Sequence, residues 1–239
     1  MSQFFLSGLA FCLAFSIIFL IQPSVAKVAF AKNFKASPEK NFPGIPLLTL
    51  GGISMFIGIT LAIALCTNNS GFNELHPLIS AMVVLLFSGL VIDSGHGYRY
   101  LRQFAKFFAA GLLVIRGEDG PEAIFSSLAP WLDALIQFGF VLLFMFAYHA
   151  AVVYRKMPFL FAGLFNALIF VILFWPIQSA ASYTLLSITL SGSVTGILTY
   201  SRYALHQKKP LPLIGHTGIF LIAIILATLW LQLMKLWIQ

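Results

Sequence analysis

Charged residues are scarce in this sequence. They make up 9% of its 239 residues, whereas 60% are hydrophobic and the mean hydropathy is +0.96. An average soluble domain carries about 25% charged residues, so the composition excludes that class and predicts an all-helical, polytopic integral membrane protein. Long polar segments are missing too, since the longest predicted connection runs only from residue 22 to residue 45. We therefore expect residues 1–239 to form a single transmembrane domain.

Cysteines and recognisable soluble-enzyme motifs are also few. The two cysteines, Cys12 and Cys66, lie in different apolar runs with no motif around either, which predicts packed apolar thiols. The sequence contains no Walker, Rossmann, HExxH or CxxC pattern. Candidates for function are therefore the polar residues at the ends of the predicted spans, because ionisable groups in or beside a membrane are costly and are usually functional.

Eight apolar runs are long enough to predict transmembrane helices, since about 20 apolar residues cross the hydrocarbon core. They are residues 3–22, 46–66, 76–93, 101–115, 129–148, 158–175, 182–200 and 213–236. The fourth contains Arg102 and Lys106, so we expect it to begin nearer Gly97 and to let both side chains snorkel to the headgroups. The first could instead be a cleaved signal peptide, because residues 29–31 resemble a cleavage site, although residues 1–4 lack the usual positive charge.

Basic residues are sorted to one side of the membrane by this arrangement. Only Arg116 and Lys235 fall on the other side. By the positive-inside rule the basic side is cytoplasmic, and both termini lie outside. The net charge of +7 then reflects topology and attraction to anionic lipid headgroups, and we expect no nucleic acid partner. The basic residues on the cytoplasmic side are Lys27, Lys32, Lys35, Lys40, Arg99, Arg102, Lys106, Arg155, Lys156, Arg202, Lys208 and Lys209.

Four polar segments stand at the predicted cytoplasmic ends of spans. They are Pro38–Ser54 with its Leu50-Gly51-Gly52-Ile53, Gly89–Ser94 with the following Gly95-His96-Gly97, His149–Gly163, and Leu213–Leu221 with its Gly215-His216-Thr217-Gly218. Each also has an ordinary structural interpretation. Paired glycines allow close helix packing, an aspartate can help to end a helix, and a basic loop can simply set orientation.

Taken in order, these segments resemble the polyprenyl-phosphate N-acetylhexosamine-1-phosphate transferases (glycosyltransferase family 4), and above all the undecaprenyl-phosphate GlcNAc-1-phosphate transferase branch. In that family a Pro-containing cytoplasmic loop leads into a Leu-Gly-Gly-Ile segment, as it does at Pro38–Ser54. The third span ends Gly-x-x-Asp-Asp, a later loop carries Asn-Ala-x-Asn-x-x-Asp-Gly, and Gly-Asp-x-Gly opens a later helix. The resemblance covers nearly the whole chain in order and spacing, and only the first segment is close in identity.

The resemblance implies transfer of N-acetylhexosamine-1-phosphate from a UDP-sugar to a polyprenyl phosphate, in the inner (plasma) membrane, for cell-envelope polysaccharide synthesis. Carboxylates in such a reaction hold Mg2+, which neutralises the diphosphate and the developing charge. The resemblance also implies a face that receives the lipid phosphate. The basic or polar residues on that face are Arg99, Arg102, His149 and Lys156.

The departures from the family fall on its acidic positions. Asp93 matches the first aspartate of the pair, but Ser94 replaces the second, and His216 stands at the carboxylate of Gly-Asp-x-Gly. The family's Asn-Ala-x-Asn-x-x-Asp-Gly motif can be aligned through Leu160, Ala162 and Gly163. His149 and Val152 then stand at its two asparagines, and Arg155 stands at its aspartate. Mg2+ prefers oxygen ligands, whereas imidazole suits transition metals. We therefore expect an impaired catalytic site that does not bind Mg2+.

Three functional hypotheses remain open. The chain is a sugar-1-phosphate transferase with a degenerate site, a non-catalytic pseudoenzyme that binds undecaprenyl phosphate or a protein partner of the envelope pathway, or a small-solute carrier. The sequence ends after the eighth predicted span, whereas the family continues to a His-containing loop that helps to bind the nucleotide sugar. A further hypothesis is a transition-metal site that uses Asp93, His149 and His216.

Overall fold

The computed structural model describes residues 3–32, 47–48, 50–67, 69–95, 99–115, 129–154, 158–177, 180–207, 211–212 and 215–238. Eight helices lie within these ranges: α1 (Gln3–Ala31), α2 (Gly51–Cys66), α3 (Asn69–Asp93), α4 (Arg99–Ile115), α5 (Pro130–Tyr154), α6 (Pro158–Phe174), α7 (Ala181–His206) and α8 (Gly215–Ile238). Two strands of two residues each, β1 (Leu47–Leu48) and β2 (Leu211–Pro212), pair in parallel.

Five of the helices are long and apolar enough to cross a membrane, namely α1, α3, α5, α7 and α8. Helix α2 and residues Gly163–Phe174 of α6 are apolar but shorter. The prediction of a helical, multi-pass membrane protein is confirmed by these lengths and compositions, since a span needs about 20 apolar residues.

Two helices extend past prolines that lie next to their predicted ends. Helix α1 continues through Pro23 to Ala31, and α3 begins at Asn69 and passes through Pro77. Proline is unfavourable inside helices in water, but membrane helices tolerate it because neighbouring groups satisfy the freed backbone. In α1 packing also favours the extension, because the added turns bury Ala26 and Ala29 against Leu50.

Consecutive helices run in opposite directions, which brings alternate helix ends together. The end of α1 approaches the beginning of α2, where Ser54 donates a hydrogen bond to Gln22. Helices α1 and α7 run in parallel, because Gly192 lies against Phe11 and Gly196 lies against Phe15. Helices α1, α3, α5 and α7 therefore end, and α2, α4, α6 and α8 begin, at one end of the bundle. We call this the basic end.

The most enclosed helices are α7 and α8. On α7 several buried hydroxyls donate to carbonyls one turn earlier in the same helix, as Ser191 does to Ser187 at 2.9 Å and Ser187 to Tyr183 at 2.8 Å. Such bonds satisfy polar side chains without a partner on another helix. On α8 the residues from Phe220 to Leu229 are almost all buried. Helix α8 contacts α2, α3, α5 and α6, so its first turn lies in the middle of the basic end.

Candidate functional site

The carboxylate of Asp93 joins the end of α3 to the first turn of α8. Its Oδ1 accepts a hydrogen bond from the His216 backbone N–H at 2.8 Å and lies 3.1 Å from His216 Nδ1. Its Oδ2 accepts from the Thr217 hydroxyl at 2.8 Å and from the Thr217 N–H at 3.2 Å. The first N–H groups of a helix have no partner within the helix, and the positive end of its dipole favours an anion. Asp93 is therefore an N-terminal cap supplied from another helix.

Glycines allow the helices to come close enough for this cap. A Cβ atom at Gly89 on α3 would lie 2.6 Å from the Cα of Thr217, and one at Gly52 on α2 would lie 2.7 Å from its Cβ. Both separations are too short for a real side chain, so only glycine fits at either position. Gly215 has a φ of 65°, which favours glycine where the chain turns into α8. The Gly-Gly pair at the start of α2 and the Gly-His-Thr-Gly at the start of α8 thus serve close packing.

Two histidines from different helices lie side by side next to the cap. The rings of His149 on α5 and His216 on α8 have centroids 5.9 Å apart, and both rings contact Phe220. His149 is only 9% exposed, and its Nε2 has no hydrogen-bond partner in the described part of the chain. The His216 side chain is 33% exposed. A polar atom left without a partner in such a place is costly, so Nε2 of His149 is available for a ligand.

Helix α4 contributes a buried lysine to the same region. Lys106 is 1% exposed, and its Nζ lies 4.3 Å from the centroid of the Phe146 ring and 5.6 Å from that of Phe220. The expectation that this side chain snorkels to the headgroups is wrong, because α4 turns it toward α5 and α8. Lys106 and Arg102 both act electrostatically on His149. Lys106 was not predicted as a site residue, although its i, i+4 spacing from Arg102 was a visible signal.

The other predicted site residues have different positions. The hydroxyl of Ser94, directly after α3, donates to the carbonyl of Val91 at 2.8 Å. Arg102 is half-buried on α4. Arg155 and Lys156 lie outside the described residues, and so does the side chain of Arg99. The structure therefore brings together Asp93, His216, His149 and Arg102.

The described residues do not fit the Mg2+ site that the resemblance implies. Both oxygens of Asp93 are engaged by donors of α8, and its side chain is 0% exposed. Its neighbours His149, His216 and Lys106 supply imidazole or ammonium groups, whereas Mg2+ requires oxygen ligands in near-octahedral geometry. Among the described residues there is also no group of three His, Cys, Asp or Glu side chains that could hold a metal ion. The transition-metal hypothesis stays a prediction without support.

The charged and polar groups of the site favour an anion electrostatically. The one carboxylate among its described residues caps a helix, and Arg102, Lys106 and the two imidazoles lie close by on α4, α5 and α8. Comparison with models of known protein families gives no match, and no curated protein is similar to the chain. The resemblance to the sugar-1-phosphate transferases thus rests on the order and spacing of its motifs.

Proposed function

We propose that this chain is a non-catalytic protein of the inner (plasma) membrane that binds undecaprenyl phosphate, or a similar polyprenyl phosphate, on a scaffold resembling the sugar-1-phosphate transferases. The observation that carries the proposal is the set of hydrogen bonds that Asp93 accepts. This residue stands at a family carboxylate position, yet within the described part of the chain its four hydrogen bonds go to the first turn of α8. A carboxylate used in this way holds two helices together and leaves no oxygen facing a substrate.

The proposal includes eight spans with the basic end in the cytoplasm and both termini outside. The alternating direction of the eight described helices supports the count. The shortest, α2, has 16 residues and therefore measures about 24 Å, which is below the usual core thickness of about 30 Å but compatible with local thinning of the bilayer. The orientation is supported by the exposed Lys27, Lys32 and Arg202 at the basic end.

Transfer of a sugar phosphate is disfavoured by the charges at the site. The reaction brings a diphosphate to a second phosphate, and a metal ion must neutralise the pair. Lysine and arginine can neutralise one phosphate by hydrogen bonds and charge alone, but they cannot replace a metal that bridges both reactants. The site therefore suits an acceptor lipid phosphate that is held without reacting, for example to deliver it to a protein partner in the envelope pathway.

A transfer assay with purified protein tests the absence of catalysis. Undecaprenyl phosphate, UDP-GlcNAc and Mg2+ should give no undecaprenyl-diphosphate sugar, with an active transferase of this type assayed in parallel as positive control. Turnover that disappears in an Asp93→Asn variant would refute the proposal and identify the chain as an enzyme.

A thermal-shift measurement tests the binding function. Undecaprenyl phosphate should raise the unfolding temperature of the purified protein, because a ligand that binds only the folded state stabilises it. Undecaprenol, which lacks the phosphate, is the matched control and should raise it much less. Equal shifts with both lipids would mean that the protein recognises only the isoprenoid chain, and the proposed function would then be wrong.

A further inference from the structure

Helix α4 presents its polar face to the interior of the bundle. Tyr100, Phe104 and Phe108 are exposed on the outer side, while Lys106 is buried and Arg102 and Gln103 are partly buried on the inner side. An amphipathic helix packed on an apolar core would have the opposite orientation. In a membrane, inward-facing ionisable groups line a polar site or pair with one another. The orientation of α4 therefore indicates a polar binding site between α4, α5 and α8.

Three polar side chains, two on this inner face of α4 and one on α5, each leave one buried atom without a partner in the described part of the chain. Arg102 Nε, Gln103 Oε1 and His149 Nε2 are buried and have no hydrogen-bond partner in the ranges that the structure describes. No carboxylate within those ranges forms an ion pair with Lys106, whose contacts are the rings of Phe146 and Phe220. Polar atoms thus converge on one region from two helices.

The aromatic contacts of Lys106 do not compensate for its burial. A cation–π interaction contributes about 0.5–2 kcal/mol, whereas burying an unpaired charge costs several kcal/mol even after relaxation. Arg102, a charge of the same sign on the same helix, adds repulsion. The cluster is therefore electrostatically complementary to an anion. No residue in the described part of the chain supplies that anion.

We propose that Lys106, Arg102 and His149 form a metal-independent binding site for a phosphate monoester. Lys106 supplies a compact charge, and the Arg102 guanidinium can donate two parallel hydrogen bonds to phosphate oxygens. His149 Nε2 donates a third in its Nε2-protonated form, and the amide of Gln103 can be turned to present its NH2 group, since its oxygen and nitrogen are interchangeable in shape. This inference rests on the proposed function for the lipid source of the phosphate.

The depth of the site favours a lipid as that source. Lys106 lies seven residues after Arg99, where α4 begins, and is therefore about 10 Å along the helix axis. A lipid carries its phosphate within the membrane at such a depth, and α4 exposes the apolar side chains of Phe104, Phe107 and Phe108 at the same level. A free phosphate must come from the aqueous side and lose its hydration shell. The two sources share the same site chemistry and can be separated by experiment.

The test is equilibrium binding of radiolabelled undecaprenyl phosphate to the purified full-length protein in detergent with EDTA. We expect binding without metal ions, and at least about tenfold weaker binding in a Lys106→Met variant, since hydrogen bonds to charged groups are the stronger ones. Lys27→Met is the matched control, because it removes the same charge from an exposed position at the same end of the bundle and should bind like the wild type.

The outcomes separate this site from the proposed function. Equal binding by the wild type and Lys106→Met, or equal weakening in Lys27→Met, would overturn the site and leave lipid binding intact. Binding of inorganic phosphate that depends on Lys106, without binding of the lipid, would support the anion site and overturn the lipid function. A requirement for Mg2+ would overturn the metal-independent site, and no binding of either phosphate would overturn both proposals.

The unfolding temperature of ligand-free Lys106→Met shows whether the variant loses binding only because it is less stable. Methionine has a similar shape without the charge, so the variant should unfold at the same temperature as the wild type or a higher one when no ligand is present. Added undecaprenyl phosphate should then stabilise the wild type more than the variant. A ligand-free variant that unfolds at a clearly lower temperature would show that Lys106 is structural, and the proposal would fail.

Discussion

The hydroxyl of Thr217 donates a hydrogen bond of 2.8 Å to Asp93 Oδ2, and this bond spans two helices that are far apart in the sequence. The same carboxylate accepts the backbone N–H of Thr217. One side chain at the end of α3 therefore fixes the position of the first turn of α8. The residue that most resembles a catalytic aspartate in the sequence is, in the structure, a tertiary contact between two spans.

Asp93→Asn should destabilise the protein. The variant removes the charge that interacts with the α8 N-terminus, and its NH2 group would face N–H donors of α8. Hydrogen bonds to charged groups contribute about 1.5–3 kcal/mol, so we expect a loss of about 2 kcal/mol or more in the free energy of unfolding. Thermal unfolding in detergent measures it. Ser94→Ala is the neighbouring control. It removes a neutral hydroxyl that donates to Val91, and since such bonds contribute about 0.5–1.5 kcal/mol, it should cost less than Asp93→Asn; similar losses in both variants would argue against the cap.

Thr217 offers a test of the same contact from the other helix. Thr217→Val keeps the shape but removes the donor to Asp93, so it should lower the free energy of unfolding by about 1–3 kcal/mol. Thr217→Ser keeps the hydroxyl and should retain most of that contribution. The comparison uses chemical denaturation of the two variants under identical detergent conditions. If serine were no better than valine, the hydroxyl would not be the stabilising group.

Gly89→Ala should strongly destabilise the contact between α3 and α8. Its Cβ would meet the Thr217 Cα at 2.6 Å, and overpacking of this kind costs about 1–3 kcal/mol. Gly139→Ala on α5 is the matched control, because nothing lies within 4 Å of the added Cβ. Alanine there should be neutral or stabilising by up to about 1 kcal/mol through helix propensity. Unfolding temperatures of the two variants provide the comparison, and a harmless Gly89→Ala would contradict the close packing.

The eight-span topology predicts the location of reporter fusions. Fusions after Ala36, Tyr100 or Lys208 should report the cytoplasm, because these positions lie in or beside the predicted basic connections. Fusions after Asn69 or after residue 119 should report the outside. Alkaline phosphatase and green fluorescent protein fusions give complementary signals for the two sides. A cytoplasmic signal after residue 119 would rule out the arrangement, since it would place α4 or α5 outside the set of spans.

Much of the site could be anticipated from the sequence. Asp93, His149 and His216 were selected because each stands at the end of an apolar run, and consecutive spans bring such ends together whatever the details of packing. The roles could not be anticipated in the same way. Whether an aspartate faces a substrate or a neighbouring helix depends on the distance between helices, and here that distance is set by contacts of Gly52 and Gly89 with Thr217.

The sequence by itself determined that this is a helical membrane protein. A long apolar run is stable in lipid only if its backbone hydrogen bonds are made within the run, and a helix makes them. Both the length and the composition of each run are local properties of the sequence. Only the tertiary structure decided that α1 continues past Pro23 and that Lys106 faces inward. Lipid tails are as apolar as a protein interior, so the hydrophobic effect does not select which face of a membrane helix meets its neighbours. That choice is made by packing and by polar contacts between helices, and such contacts join residues that are distant in the chain.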